Sequence, residues 1–394
     1  MNCSYFYYTN QLEVKCVIIT MVMDQFGDES NGTTMTAKRF ADILIEHGHT
    51  VRVVTASKIN DPNVYVTKER NVPILKQVGH SQGMIFAKPD KKILTEAIQG
   101  SDVVHFLMPF KIQKKGKKIC DELGVPSTAA FHVQPENITY TIHLGKVKWV
   151  NRFIYRLFRD TFFHKFNHIH CPSEMIKNQL IEHGYKGNLH VISNGVLPDF
   201  VHKDVPKPKE LEGKYCILMV GRYSREKRQD LLINAIKNSQ YEKNIQLILC
   251  GKGPWRKALE KLGNQLTNKP IMKFCPKDEL IDTINYCDLY VHASDAEIEA
   301  ISCMEAFTCG LVPIISDSKI SATNQFALSD RNLFECDNYL DLAKKIDYYI
   351  EHEEVKKADS LAYIEYAKRY AIDNCVRQLE DVFQMAIDEN KARK

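Results

Sequence analysis

The stretch from Asp288 to Ser316, DLYVHASDAEIEAISCMEAFTCGLVPIIS, narrows the fold more than any other part of the chain. The apolar run Leu289-Tyr290-Val291 suits a buried strand. Polar residues then lead into a helix-like run from about Ile301 to Cys309, Gly310 stops it, and Val312-Pro313-Ile314-Ile315 starts another strand. Strand, acidic loop, short helix and strand make a βαβ unit. In open α/β sheets ligands sit at the carboxyl ends of the strands, where this loop falls. Two carboxylates, Glu297 and Glu305, bracket it.

The same rhythm runs along the whole chain. Lys15–Thr20, Thr50–Thr55, Asp102–Leu107 and Ser127–Phe131 read as strands, with helices over about Thr33–His47 and near Gly116–Leu123. Tyr215–Val220, Ile245–Cys250, Ile271–Phe274, Leu289–Val291 and Val312–Ile315 continue it in the second half. Strands alternating with helices predict parallel sheets. Residues 197–209 carry three prolines and several charges and read as a linker, with the boundary near 200–212. The predicted organisation is one domain over 1–205, a second over 206–372, and a helix over 373–394 that returns to the first, after a break near Tyr370–Asp373. Residues 1–15 read as an extra arm.

Composition removes several classes of function. At 394 residues the chain can fill two hydrophobic cores. With 26% charged residues and a mean hydropathy of -0.31, it has no run approaching a membrane span. The N-terminus lacks the basic and apolar regions of a signal peptide. A net charge of +4 gives no reason to expect nucleic-acid binding. There are 12 cysteines, among them Cys16, Cys171, Cys216, Cys250 and Cys303, mostly inside strand-like runs and without metal-ligand spacing. They predict reduced, buried thiols in a cytoplasmic protein.

Gly221-Arg222-Tyr223-Ser224-Arg225-Glu226-Lys227-Arg228 follows an apolar strand. A glycine at a strand's end, followed by cations at the opening of a helix, suits a diphosphate, because helix amides and positive side chains both favour anions. Alone it reads equally as a solvated basic turn; Glu297 and Glu305 in the same half favour the anion site. Gly251-Lys252-Gly253-Pro254 lacks the third glycine and the downstream acid of a dinucleotide fingerprint, and suits a tight turn or close backbone approach. Asn31-Gly32-Thr33, between the first strand and its helix, suits either close approach to a ligand or a plain turn and cap. His132 follows the strand Ser127–Phe131, where a histidine serves either structure or a site.

Together these segments resemble the retaining GT-B glycosyltransferases of family GT4. The likeness rests on Gly221-Arg222…Glu226-Lys227, the E-x7-E spacing of Glu297 and Glu305, Asn194-Gly195-Val196, Gly48-His49-Thr50-Val51, Pro172-Ser173 and Cys309-Gly310-Leu311-Val312-Pro313. It spans Lys15 to about Phe383. It implies an α/β fold of two Rossmann-like domains with parallel sheets facing a central cleft. The implied activity moves a hexose from a UDP-sugar to a hydroxyl acceptor, with retention at the anomeric carbon and no required metal or cofactor. Arg222 and Lys227 would bind the donor diphosphate, Glu297 the transferred sugar and Glu305 the ribose. Backbone amides of Glu299, Ala300 and Ile301 would face sugar or phosphate, His132 would lie beside the sugar, and Gly32 would approach the diphosphate from the other domain. The chain departs from the family's pattern at Glu299-Ala300, where Phe-Gly is frequent, and at Asn31-Gly32, where Gly-Gly is frequent. Rival expectations are a nucleotide-sugar epimerase, a phosphorylase and a non-catalytic nucleotide-sugar-binding protein.

Two basic stretches mark the first half. One is Lys111–Lys118; the other, within 146–165, aligns Lys148, Arg152, Arg156 and Arg159 at helical spacing, with Val150, Ile154, Leu157 and Phe158 on another face and Trp149 and Phe153 near the border. A basic, aromatic, amphipathic helix suits an anionic membrane interface or an ordinary surface packed on a sheet. Joined to the glycosyltransferase pattern, it predicts peripheral association with the inner face of the membrane and a lipid or lipid-linked saccharide as acceptor.

Overall fold

The computed structural model describes residues 16–27, 32–70, 85–141, 144–145 and 147–394. The N-terminal arm, Asn31 and Lys146 fall outside them. The first half forms a seven-stranded sheet from β1 (Ile18–Val22), β2 (Thr50–Thr55), β3 (Val64–Val66), β4 (Val103–Phe106), β5 (Ser127–Ala130), β6 (His168–Cys171) and β7 (Asn188–Val191), in the order β3-β2-β1-β4-β5-β6-β7. Every pairing in it is parallel. The second half adds β8 (Tyr215–Val220), β9 (Ile245–Cys250), β10 (Ile271–Lys273), β11 (Leu289–His292), the short β12 (Ala296–Glu297), β13 (Pro313–Ser316), the short β14 (Ile320–Ser321) and β15 (Leu333–Phe334). Six of these make a parallel sheet in the order β10-β9-β8-β11-β13-β15, and β12 pairs with β14.

Strand order reverses between β1 and β4 in one sheet and between β8 and β11 in the other. At such a switch point the loops leave in opposite directions and open a crevice beyond the carboxyl ends. Arg222 follows β8, Glu297 follows β11, and Asp24 follows β1. Buried aliphatics of the second sheet form one core; those of the first form two, one on each face. One of those two faces is completed by the C-terminal helix Ile372–Ala392, through Val376, Leu379, Val382 and Phe383 against Ile19, Met21, Phe40 and Leu44.

The chain passes between the sheets twice, side by side: Val196 bridges Ala371, and the Ile372 amide donates to the Val196 carbonyl at 3.1 Å. Gly195 has φ +70° here, and a Cβ on it would meet the Ile372 Cα at 2.7 Å, so only glycine fits the crossing.

Several local expectations change. The helix expected near Gly116–Leu123 begins at Lys111, and Gly116 lies inside it. A Cβ at Gly116 would stand 2.7 Å from the Phe106 ring, so this glycine marks close helix–strand packing. Strands β6 and β7, sequences HIHC and NLHV, go unrecognised in the sequence reading because histidines fill places where aliphatics give the usual signal.

Candidate active site

The residues singled out from the sequence come together. Gly32, His132, Arg222, Lys227, Glu297, Glu299, Ala300, Ile301 and Glu305 all line one cleft between the two sheets, with a volume of about 1680 Å³. The chain places them there from both halves, with Gly32 opening the helix Gly32–Glu46 and His132 following β5.

On the second-sheet side, Lys227 sits in the 3-10 turn Arg225–Lys227, and its ammonium donates to Glu297 Oε1. His292 Nε2 lies 3.1 Å from the same oxygen. Burial pushes the Glu297 carboxyl up, but Lys227 and His292 outweigh it and hold the group at about 2, ionised. Arg222 is half-buried beside Gly221. Gly251 and Gly253 back this turn: Cβ atoms on them would fall 2.0 Å from the Gly221 carbonyl oxygen and 2.4 Å from that of Tyr223. The close backbone approach expected of that motif is therefore made to the Gly221 turn.

Cys250 and Cys275 line the same wall and form a disulfide, with Cα atoms 5.9 Å apart. This corrects the expectation of reduced thiols at Cys250. Parallel pairing sets Cys250 opposite Lys273, which brings Cys275 beside it. The other described cysteines are free thiols, most of them buried.

Only the second member of the glutamate pair is on a helix. Glu297 belongs to β12, while Glu305 lies in the helix Ile301–Thr308, whose first turn begins after Ala300. Glu305 accepts from Arg39 Nη2 at 3.0 Å, across the cleft from the helix Gly32–Glu46. Burial raises the Glu305 carboxyl and Arg39 opposes that rise. Glu299 turns to the crossing loop and accepts from the Asn194 amide at 2.7 Å. Fully buried, it is pushed up to about 7, with Ser193 and Asn194 opposing. Two glutamates two residues apart thus carry different charge because one faces a lysine and the other faces only hydrogen-bond donors.

The loop is also the seam between the halves. Besides Arg39–Glu305 and Asn194–Glu299, Tyr140 Oη reaches Asp295 at 3.2 Å, and Ser173 Oγ donates to the Ile298 carbonyl at 2.7 Å. Arg228 pairs with both Asp295 and Asp337. Asp295, Cys336 and Asp337 have ligand atoms close enough to share a metal ion, but the guanidinium already supplies positive charge to both carboxylates. Sequence reading missed Arg39, Tyr140 and His292. A histidine ending an apolar strand just before the acidic loop was a usable signal for His292; nothing local marks Arg39, 266 positions from its partner.

His132 is buried, and its ring meets His170 edge-on at 5.1 Å, with His105 stacked beyond. Burial, then His170 and His105, lower its basicity well below the ordinary value, so it faces the cleft as a neutral imidazole. Around it Met108, Phe110, Val133, Ile138, Leu157 and Phe158 form an apolar strip of the first-half wall, which elsewhere carries charged residues such as Asp24, Arg39, Arg70, Lys111 and Lys114.

Two family descriptions match consecutive parts of the chain: Glycosyltransferase Family 4 over residues 30–200 and Glycosyl transferases group 1 over residues 201–370. The chain belongs to the GT4-type glycosyltransferases, and its fold is GT-B. An uncharacterized glycosyltransferase of Methanocaldococcus jannaschii is 26% identical over 328 residues, covering 81% of this chain and 85% of the relative. The alpha-monoglucosyldiacylglycerol synthase of Streptococcus pneumoniae is 23% identical over 314 residues, 76% of this chain and 70% of that one. Among solved structures, Anabaena HepE in complex with UDP and glucose is similar, with a TM-score of 0.72 at 15% identity over 94% of this chain and 100% of that chain, which shows the shared fold.

Proposed function

We propose that this glycosyltransferase moves a hexose from a UDP-sugar to the hydroxyl of a membrane lipid or lipid-linked saccharide, with retention at the anomeric carbon. The observation that carries the reading is the Lys227–Glu297 pair beside Arg222 at the switch-point crevice. Arg222 and Lys227 take the diphosphate, and the amides of Glu299, Ala300 and Ile301 at the start of the Ile301–Thr308 helix add donors that lack intrahelical partners. Glu297 holds hydroxyls of the sugar, Glu305 those of the ribose, and Gly32 lets the opposite wall approach the diphosphate. His132 contacts the sugar as a neutral group. The acceptor oxygen bonds to the anomeric carbon on the face the diphosphate leaves, the carbon–oxygen bond to phosphate breaks, and the acceptor proton passes to the departing diphosphate. The protein's work is positioning and charge stabilisation.

The lipid acceptor is supported by the apolar strip of the first-half wall and by the activity of the streptococcal relative, an alpha-monoglucosyldiacylglycerol synthase. The helix Lys148–Thr161 adds a surface argument: Trp149 is 74% exposed, Phe153 59% and Leu157 44%, in one line beside Lys148, Arg152 and Arg156. The sequence groups Leu157 with Val150, Ile154 and Phe158 on another face; in the structure it joins the exposed stripe and also borders the cleft. In the other basic stretch, Lys114 donates to Thr161, Lys117 pairs with Asp121 and Lys118 with Glu122, while Lys111 is exposed at the start of the helix. No helix among the described residues is long and apolar enough to cross a membrane, so attachment on this reading is at the surface.

The test is UDP release from UDP-glucose, UDP-galactose and their N-acetyl forms, with vesicles containing diacylglycerol or polyprenyl-linked sugar, and the anomer read by NMR. Acceptor-dependent release with an α-linked product from an α-linked donor is expected. Release of an inverted product, or conversion of the nucleotide sugar without any acceptor, would overturn it.

A further inference from the structure

His292 ends β11 with only 1% of its surface exposed, one strand-end before the loop that carries Glu297. Its two ring nitrogens are both engaged. Nε2 is 3.1 Å from Glu297 Oε1, and Nδ1 is 3.3 Å from Tyr290 Oη. The Tyr290 hydroxyl also lies 3.1 Å from Ser302 Oγ, which donates to the Val220 carbonyl at 3.3 Å. A buried polar chain therefore runs from the site carboxylate to the end of β8, the strand that delivers Arg222, and touches the Ile301–Thr308 helix on the way.

The chemistry of the partners fixes the tautomer. An ionised carboxylate only accepts, so Nε2 carries the proton; the single Tyr290 proton can go to Ser302 Oγ or to Nδ1, and with a neutral ring it is Nδ1 that accepts it. Burial lowers the basicity of His292, with Glu297 opposing, so the ring is a neutral donor. Glu297 Oε1 is thus gripped by two groups of different kinds. Lys227 is a flexible cation that the diphosphate also attracts; His292 is a rigid neutral donor sealed away from it.

We infer that His292 is the positioning residue of this site, holding Glu297 Oε1 in place when Lys227 turns to the donor diphosphate, so that Oε2 is presented to the sugar. The inference rests on the donor-site reading above for its functional consequence, but not for its geometry. Glu297 titrates in a setting shaped by Lys227 from the 3-10 turn, Tyr290 and His292 from β11, and Cys303 from the helix. Removing one of its two donors moves its titration upward.

Two measurements on the full chain separate the outcomes. The first is 15N NMR of labelled histidine, read with and without UDP. A neutral ring protonated on Nε2 near pH 7, whose signal shifts in Glu297→Gln, is expected. A ring protonated on Nδ1, or one that titrates near pH 6.5, would overturn the assignment whether or not the chain turns over a nucleotide sugar. The second compares His292→Leu with His292→Gln, whose amide restores a donor. In His292→Leu, kcat falls about 10- to 100-fold with KM for the UDP-sugar little changed, and the acidic limb of kcat/KM moves up by about one pH unit. His292→Gln recovers most of kcat. A folded His292→Leu with kcat within about twofold of the parent and an unmoved acidic limb refutes the role. Equal losses in both variants, matched by equal falls in Tm, assign His292 to packing alone. If the parent shows no turnover with any UDP-sugar, the donor-site reading fails, and the NMR result still decides the geometry.

Discussion

The two walls of the cleft are built from the same kind of sheet and place their charged and apolar groups differently. The second-sheet wall places Arg222, Lys227 and Glu297 after strand ends and Glu305 within the helix that follows, with Lys227 paired to Glu297 and Glu305 to Arg39. The first-sheet wall sets an apolar strip of Met108, Phe110, Val133 and Ile138, beside a histidine kept neutral by burial and by its neighbours, among charged residues such as Asp24, Arg70 and Lys111. A wall of paired charges suits a partner that arrives charged and departs more so, as a nucleoside diphosphate does. An apolar strip with a neutral imidazole beside it suits an uncharged hydroxyl on a greasy body. The same fold supports both because function lives in the loops at the carboxyl ends, while the sheets only position them.

Four substitutions test that contrast, taken from the largest expected effect. Lys227→Ala removes the cation of the charged wall and leaves buried Glu297 with His292 as its remaining partner; turnover of the UDP-sugar falls by about 1000-fold, and Tm falls as well. A folded variant that keeps near-normal turnover would break the assignment of this wall. Arg39→Ala is the one substitution aimed at the bridge between walls. It leaves Glu305 buried and unpaired, and stability drops by about 3 kcal/mol, read by urea denaturation. A loss near zero would mean that the pair is not maintained in solution.

Glu299→Gln comes next and acts oppositely. Because its native pKa, about 7, stands above the reference value of 4.5, the native state holds the proton that the unfolded chain has released between those pH values. Stability therefore declines as pH rises through that window. The glutamine variant, neutral throughout, avoids the decline and is more stable above pH 7 by on the order of 2 kcal/mol. An identical pH dependence in parent and variant would show that Glu299 is not buried as placed. The mildest effect belongs to the outer edge of the apolar strip. Replacing Trp149 and Phe153 together by serine weakens binding to anionic vesicles about 10-fold without altering UDP affinity. Vesicle binding unchanged by the pair would remove this helix from the membrane surface.

Much of the fold was legible because short apolar runs coincide with buried parallel strands. Thr50–Thr55, Tyr215–Val220 and Ile245–Cys250 begin and end in the structure where their apolar runs do. The reading failed where burial is achieved without aliphatics, as in β6, where His168 and His170 pack against other histidines. It also failed where glycine serves packing in place of punctuation, as at Gly116. Within the site, the residue types and their order were legible, since cations and carboxylates stand out where apolar strands end. The partners that decide the charge state of each carboxylate were not.

What the sequence determined by itself, then, is the alternation that makes two parallel sheets and the placing of Arg222, Lys227, Glu297 and Glu305 at their carboxyl ends, because strand and helix periodicity and end signals are local properties. Tertiary structure alone decided that Glu297 stays ionised while Glu299 is pushed up to about 7, that Glu305 meets Arg39, and that His292 grips Glu297 from beneath. The stretch from Asp288 to Ser316 proves to be both the site's acidic loop and the seam joining the halves. Burial and the identity of neighbours set these properties, and they depend on groups far apart along the chain, which a linear pattern does not encode.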